Sequence, residues 1–369
     1  MKKIKVGLAG VSGRGSSFKS AVDAVGILRI QAVCDIDEKT LKKAKALFKA
    51  EEGYSDYGEM IKKADIDAVL ISTPMPLHVS QSITAVEKGI HVLSEVPAGV
   101  SVAECKKLVK AVKKSGALYM MAENANYHKY NMVVKELARK GLFGEVYYAE
   151  GEYIHELKEL NEITRWRRKW QTGINGITYG THCLGPVLDW MEGDRVVSVC
   201  CAGSGHHYRD PRGKYYENED SCTMLCRMAR GGMVKVRVDM LSNRPSITTA
   251  FALQGTDGCY ESARARHETG KVWLGKKSKD AHTWIMIDAL EKEFLPRLWK
   301  RYGKAAEKAG HCGSDFFELL DFAEAIRDKK PSPIDIHRSM DMTIPCIVSQ
   351  ESIARGSKWL SVPDSRDWE

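Results

Sequence analysis

KIKVGLAGVSGRG, running from Lys3 to Gly15, is the stretch whose reading decides the fold. Its apolar positions Ile4, Val6, Leu8 and Ala9 lead into Gly10, Gly13 and Gly15, and Ser16 to Ile27 has the composition of a helix. A buried strand, a tight turn and a helix N-terminus in series form the frame that holds a dinucleotide diphosphate, because backbone N–H groups at the helix start face the phosphates. Laid over Gly10 to Gly15, the G-x-G-x-x-G fingerprint puts Ser12 at its second glycine, and a small residue there still admits a ligand. A glycine turn by itself also occurs without any nucleotide. Asp35 separates the two readings: it ends a second strand, Leu28 to Cys34, at the distance beyond the last glycine where a carboxylate meets the ribose hydroxyls. Such a carboxylate favours NAD and repels the 2′-phosphate of NADP, and Asp37 adds to the effect. The expected cofactor is therefore NAD.

At 369 residues the chain exceeds the usual size of one domain, so two are expected. Hydrophobic content of 43% and charged content of 28% describe an ordinary globular protein. The net charge of +8 is spread along stretches of helical composition, Lys39 to Lys49, Lys106 to Lys114 and Arg297 to Lys308, and no aromatic-interleaved basic cluster stands out as a binding stripe. Those are solvated faces, and no nucleic-acid partner is expected. The N-terminus enters a strand with no secretory apolar segment, and no apolar run reaches membrane-spanning length, so a cytoplasmic protein with no membrane partner is expected. The ten cysteines are scattered; Cys222 and Cys226 are four apart with no pair to complete a zinc set, so reduced thiols and no metal are expected.

Beyond Asp35 the chain alternates. Glu38 to Ala50 reads as helix, Asp65 to Ser72 as a strand ending in Thr73-Pro74, His78 to Lys88 as helix, Ile90 to Leu93 as a strand leading to Glu95-Val96-Pro97, a helix follows Ser101, and Leu118 to Ala122 is a fifth strand. This alternation gives an α/β, doubly wound parallel sheet over 1–122, whose ligands sit beyond the strand C-termini. Thr73, His78, Glu95, Glu123 and Asn124 should open onto that crevice. Near residue 145 the pattern changes. Glu145 to His155, Val196 to Cys201, Asp220 to Met240 and Ser246 to Gln254 read as strands with few helices between them, which predicts an α+β domain over 123–369 with an open, largely antiparallel sheet. That domain should bind substrate and, through its sheet, a second copy of the chain as a homo-oligomer. Helices are expected at Asp315 to Lys329 and His337 to Arg355, the latter able to pack back on the first domain.

Three stretches exceed what folding needs. Met121-Ala122-Glu123-Asn124, with Tyr127 behind it, would bring a carboxylate and an amide to the nicotinamide half of the cofactor; the alternative is an N-cap plus a surface acid. In NGITYGTHCLGP, Asn175 to Pro186, Tyr179 and His182 are three apart, and a phenol beside an imidazole can shuttle protons between a sugar hydroxyl and solvent. Arg165 to Trp170, RWRRKW, suits polyol hydroxyls or a phosphate, or else forms an exposed basic turn anchored by buried tryptophans.

Over nearly its whole length the chain resembles the Gfo/Idh/MocA superfamily of NAD(P)-dependent sugar-modifying enzymes, which implies a Rossmann domain at the N-terminus. The matching pieces are the glycine turn, STPMPLH (Ser72 to His78), HVLSEVPAG (His91 to Gly99), FGEVYYAEGEYIH (Phe143 to His155), GTHCLGPVLDWM (Gly180 to Met191) and HCGSDFFELLDFAEAI (His311 to Ile326). Dehydrogenases of the superfamily carry Glu-Lys-Pro after the fourth strand, with the lysine moving a proton beside the nicotinamide. Here the tripeptide is Glu95-Val96-Pro97, and valine moves no proton. Glu-Val-Pro, Met-x-Glu-Asn and Tyr-x-Thr-His-x-Leu-Gly-Pro together are similar to the NAD-dependent glycoside hydrolases of family 109, related to α-N-acetylgalactosaminidases. That resemblance implies cofactor contacts at Arg14, Gly15, Asp35, Met75 to His78 (with Thr73 and Pro74 leading in), Glu95, Val96 and Asn124. It implies substrate contacts with a carbohydrate at Tyr153, Arg167, Tyr179 and His182. Cys183 stands where the branch usually has glycine, and the exported members' signal peptide has no counterpart, so the particular sugar is not carried over. The implied reaction is oxidation of a glycoside at C3 by NAD⁺, elimination across C2–C1, addition of water and return of the hydride, with His182, Tyr179 and Glu123 as acid/base groups. The other readings are an NAD-dependent sugar or polyol dehydrogenase with net NADH formation, and a non-catalytic sugar or nucleotide sensor.

Overall fold

Six strands, β1 (Ile4–Ala9), β2 (Leu28–Cys34), β3 (Glu52–Tyr54), β4 (Ala68–Ile71), β5 (His91–Glu95) and β6 (Tyr119–Ala122), lie in the order β3-β2-β1-β4-β5-β6, every pair parallel. The computed structural model describes residues 3–245, 247–265 and 267–369. Helices α1 (Arg14–Val25), α2 (Glu38–Phe48), α3 (Tyr57–Lys63), α4 (His78–Val86) and α5 (Val102–Ser115) form the crossovers. β4 and β6 are buried at every position and β1 from Val6 onward, as strands of a parallel sheet sandwiched by helices must be. Asp37 caps α2 by accepting from Thr40 N at 2.8 Å, and Ser101 caps α5 by accepting from Glu104 N at 3.2 Å. β3 and α3 were not legible, because three-residue strands and two-turn helices are too short to display a period.

Two units share the chain. The first runs to His128 and also takes Arg301–Met340 and Ser365–Glu369, so it extends past the 1–122 segment read as alternating. Three bonds tie the late segments in: Met121 N donates to Ile334 O at 3.2 Å, Ser332 Oγ to Tyr119 O at 3.0 Å, and Lys113 Nζ to Trp368 O at 2.8 Å. The helix Ser314–Asp328 packs against α1 within this unit.

The second unit comprises Lys129–Lys300 and Asp341–Asp364. Its strands are β7 (Val146–Ile154), β8 (Val196–Gly203), β9 (Cys222–Met228), β10 (Met233–Asp239), β11 (Thr248–Gly255), β12 (Gly258–Glu261), β13 (Lys271–Leu274), β14 (Ile285–Met286) and β15 (Leu360–Ser361). They form one sheet in the order β14-β13-β12-β11-β7-β10-β9-β8-β15. All pairings among the described strands are antiparallel except β7 with β10. The strand read from Ser246 begins at Thr248; Ser246 itself lies outside the described residues. The helix Thr181–Trp190 lies on β7, where a Cβ on Gly151 would stand 2.7 Å from Cys183 O, so only glycine permits the approach.

Trp190 closes that helix and is 1% exposed, its edge against Phe251 and Tyr260 at centroid separations of 5.3 and 5.7 Å. Its indole N–H donates to Asn131 O at 3.0 Å. Trp190→Ala is expected to destabilise the second unit by about 3–5 kcal/mol, through lost burial and the cavity left behind, read as a lower urea midpoint.

Candidate active site

The turn between β1 and α1 is built on contacts that exclude side chains. A Cβ on Gly15 would lie 1.9 Å from Gly10 O, and Gly10 itself has φ 77° with its missing Cβ 2.7 Å from the Ser72 carbonyl. Glycine alone fits both places. Ser72 Oγ donates to Gly10 O at 2.8 Å, tying the turn to the end of β4. Asp35 accepts from Val11 N at 3.0 Å and Asp37 N at 3.0 Å, so it braces the turn while remaining half-buried at the tip of β2. Beside it Ile36 is 91% exposed, an apolar surface with no protein cover and suited to the flat face of a base. Bare backbone at the turn, the N-terminus of the twelve-residue α1 and a carboxylate at the tip of β2 fit a dinucleotide.

The loops after β4, β5 and β6 carry the other expected cofactor residues. Thr73 and Pro74 are half-buried, and Met75 is buried. His78 is 1% exposed, with Nδ1 2.8 Å from Pro97 O and Nε2 2.8 Å from Thr73 O, so it fastens the loop after β4 to the loop after β5. Burial depresses its basicity despite these two carbonyls. Val96 is buried beside it. Glu123 is fully buried and its Oε1 accepts from Ala125 N at 3.2 Å; it is a cap, but a buried one rather than a surface acid.

Arg14 is the hub of this unit. Its Nε donates to Glu95 at 2.6 Å, its Nη1 and Nη2 to Asp315 at 2.7 and 3.1 Å, and its guanidinium lies 4.0 Å from the Phe18 ring centroid. Asn124 Nδ2 donates to Asp315 at 3.4 Å, and Glu318 Oε1 is 3.7 Å from Arg14 Nη2. Burial raises the Asp315 carboxyl, but the hydrogen bond with His311 and the charge and bonds of Arg14 outweigh it and bring it down to about 2. Glu318 goes the other way. It is fully buried, and neither carboxyl oxygen has a hydrogen bond among the described residues. Burial, aided by the charges of Asp315, Glu95 and Glu123, outweighs the attraction of Arg14 and holds its acid well above the usual range.

In the second unit Tyr153, Tyr179 and His182 converge. Ring centroids are 5.0 Å apart for Tyr179 and His182, 5.2 Å for Tyr153 and Tyr179, and 5.6 Å for Tyr153 and His182. Tyr179 precedes the helix Thr181–Trp190 and His182 lies in its first turn, and both are half-buried. Sequence reasoning missed His155, two residues past Tyr153; its Nδ1 is 2.9 Å from the Tyr153 hydroxyl. The alternation of a strand puts positions two apart on one face, and that was the available signal. Burial first, then the charges of Arg167 and His182, depress the His155 imidazole below its ordinary value. RWRRKW is a short helix, Arg165–Trp170, with two faces. Arg167 is half-buried, close enough to act on His155, and donates to Gln171 at 3.0 Å. Arg165, Arg168 and Lys169 turn the other way, lining an open cavity of about 320 Å³ with Gly173 and Glu217. Its two tryptophans are half-buried rather than buried anchors.

Residues 127–367 match the family model described as "Glycosyl hydrolase 109, C-terminal domain" and residues 4–123 the one described as "Oxidoreductase family, NAD-binding Rossmann fold". The chain belongs to glycosyl hydrolase family 109. Relatives named as family 109 proteins include one from Saccharopolyspora erythraea, 30% identical over 98% of this chain and 83% of that protein, and one from Shewanella pealeana, 31% identical over 99% and 86%. Among solved structures, a levoglucosan dehydrogenase in complex with NADH and levoglucosan superposes with a TM-score of 0.84 at 21% identity, covering 98% of this chain and all of that one. An NAD-binding oxidoreductase from Klebsiella pneumoniae does so at 0.84 and 18%, covering 98% and 99%. These likenesses show the fold. The family 109 chain is an enzyme with an NAD-binding Rossmann domain. Among the described residues no helix is long and apolar enough to cross a membrane.

Glu318 yields a pH test. The folded protein binds its proton more tightly than the unfolded chain does, so stability falls as pH rises above the ordinary carboxylate range toward the raised folded value. Glu318→Gln keeps the shape of the neutral acid and removes that loss. The melting temperature of the variant is expected to gain on the wild type between about pH 5 and about pH 8; parallel curves would mean that Glu318 is already ionised.

Proposed function

We propose that this enzyme cleaves a glycoside by transient oxidation at C3, elimination, hydration and re-reduction, with the cofactor regenerated in each cycle. The observation carrying this reading is the packing of Tyr153, Tyr179 and His182 at centroid separations of 5.0–5.6 Å in a chain whose residue 96 is valine. When bound, NAD supplies the hydride acceptor for C3 and the donor for its restoration. His182, assisted by Tyr179, removes the proton of the C3 hydroxyl. The C3 ketone acidifies the hydrogen on C2, and loss of that proton expels the C1 substituent without the oxocarbenium-like transition state that paired carboxylates stabilise in ordinary glycosidases. Water then adds at C1, and the C2 and C3 protons are returned by the same groups, with Glu123 in a supporting acid/base role. Either anomer is a substrate in this scheme.

Gly10, Ser12, Gly13, Arg14, Gly15, Asp35, Thr73, Pro74, Met75, His78, Glu95, Val96 and Asn124 are assigned to the cofactor region, and Tyr153, Arg167, Tyr179 and His182 to a carbohydrate. His155 supports the substrate assignment, because its Nδ1 lies 2.9 Å from the Tyr153 hydroxyl and fixes where that hydroxyl stands. Arg167 brings a cation whose Nε is buried without a hydrogen bond among the described residues.

Aryl α- and β-glycosides incubated in D₂O are expected to release the aryl group, incorporate deuterium at C2 and show no net NADH absorbance. His182→Ala is expected to lower kcat by about 10²–10⁴, the usual worth of a positioned acid/base group. Stoichiometric NADH without cleavage would make the protein a sugar dehydrogenase instead, and cleavage without C2 exchange would remove the elimination step.

A homo-oligomer through the sheet of the second unit belongs to the same proposal. One face of β7, β9 and β10 buries Ala149, Met224, Cys226, Val234 and Val236, while Tyr148, Leu225 and Met233 on the other face are not buried. Leu225→Glu is expected to shift the mass measured by light scattering to that of one chain.

A further inference from the structure

The motif HCGSDFF enters the fold as a strained turn, and the proposed reaction does not use its first residue. Gly310, His311, Cys312 and Gly313 have φ of 82°, 41°, 54° and 93°, four left-handed residues in succession, two of them not glycine. Non-glycine residues held there are costly and gather at functional sites. The turn leads into the helix Ser314–Asp328, and its strain places the His311 ring, 47% exposed, against Arg14 and Asp315: Nδ1 is 2.9 Å from Arg14 Nη1 and 2.9 Å from Asp315 Oδ2. Asp315 is fully buried and held in place by Arg14, so the imidazole is oriented by a fixed carboxylate. Its Nε2 has no hydrogen bond among the described residues.

Arg14, which directly follows Gly13 in the glycine turn, would be the obvious side chain to meet a diphosphate. Its guanidinium is consumed: Nε by Glu95, Nη1 by Asp315 and Ser17, Nη2 by Asp315. A dinucleotide diphosphate bound at the turn has acceptor oxygens beyond those that the backbone N–H groups meet, and His311 rests on that same arginine with its Nε2 unengaged among the described residues. We propose that His311 is a ligand to the cofactor's diphosphate, donating from Nε2, with Asp315 as the residue that positions it. The strain of the turn is the cost of presenting that ring. The proposal rests on NAD binding alone and is independent of what becomes of the hydride.

Strain makes a structural role separable from a binding one. Replacing His311 by glycine relieves the left-handed backbone and deletes the ring, whereas alanine deletes the ring and keeps the strain. Binding of ADP-ribose, which carries the diphosphate without nicotinamide, is measured by calorimetry on the full chain stripped of cofactor, with adenosine as the probe lacking phosphate. His311→Ala and His311→Gly are expected to weaken ADP-ribose about tenfold or more, the worth of one charge-assisted hydrogen bond, and to leave adenosine unchanged. His311→Gly is expected to melt above the wild type. Cys312→Gly, at an exposed position outside the ion pairs, is expected to raise the melting temperature with ADP-ribose affinity intact. Wild-type ADP-ribose affinity in both His311 variants, or an equal loss for ADP-ribose and adenosine, would overturn the assignment.

Discussion

The approach of α1 to β1 depends on a place where no side chain exists. With Gly15 against Gly10 O and Gly10 against the end of β4, three pieces of backbone meet at the centre of the first sheet. A single methyl group there would push α1 off the strand ends, and with it Arg14, Asp35's bond to Val11 and the face on which a diphosphate rests. The glycines serve this packing, and under the proposed cofactor assignment the same bare backbone faces the diphosphate.

Arg14 extends that constraint across long sequence distance. A half-buried guanidinium contacts Glu95 at the end of β5 and Asp315 in the helix Ser314–Asp328, with Glu318 close by. Buried ion pairs contribute little net stability, because desolvation cancels most of the attraction, yet removal of one partner is severe. Their effect here is specificity: the arginine has one arrangement in which its donors are satisfied, and that arrangement fixes where the late helix joins the first unit. With three carboxylates around one arginine, burial and the neighbouring negative charges push the Glu318 acid well above its usual range.

How much of this was legible follows from the range of the interactions. β2 matches the reading residue for residue, and Ser101 caps α5, because burial of a parallel strand and satisfaction of a helix end leave local marks. Tyr179 and His182 meet because they are three apart at a helix start, a relation that spacing alone discloses. β12, β13 and β14 have four residues or fewer, and the return of Arg301–Met340 to the first unit depends on contacts hundreds of residues apart. Neither has a local signature. The commitment of Arg14 to carboxylates is likewise invisible along the chain, where it reads simply as a cation in a phosphate turn. RWRRKW was ambiguous because a short helix of mixed cations has two faces, and only the folded chain tells which arginine lies near His155.

The distribution of exchangeable protons bears on the chemistry. In the first unit the groups near the expected nicotinamide region are committed: His78 to two carbonyls, Glu95 to Arg14, Glu123 to a backbone N–H, and residue 96 has no polar atom. The second unit is arranged differently. Tyr179 and His182 are half-buried and pack on Tyr153, whose hydroxyl meets His155 Nδ1, and Arg167 is close enough to act on His155. A lysine next to the nicotinamide would couple proton loss to hydride loss at one carbon, which suits a dehydrogenase that stops at the ketone. A phenol–imidazole cluster that can both take and return protons suits a reaction in which C2 and C3 exchange theirs in turn and are restored. On the proposed reading, the valine at residue 96 and the cluster around Tyr153 belong together, with proton transfer carried by groups on the substrate side.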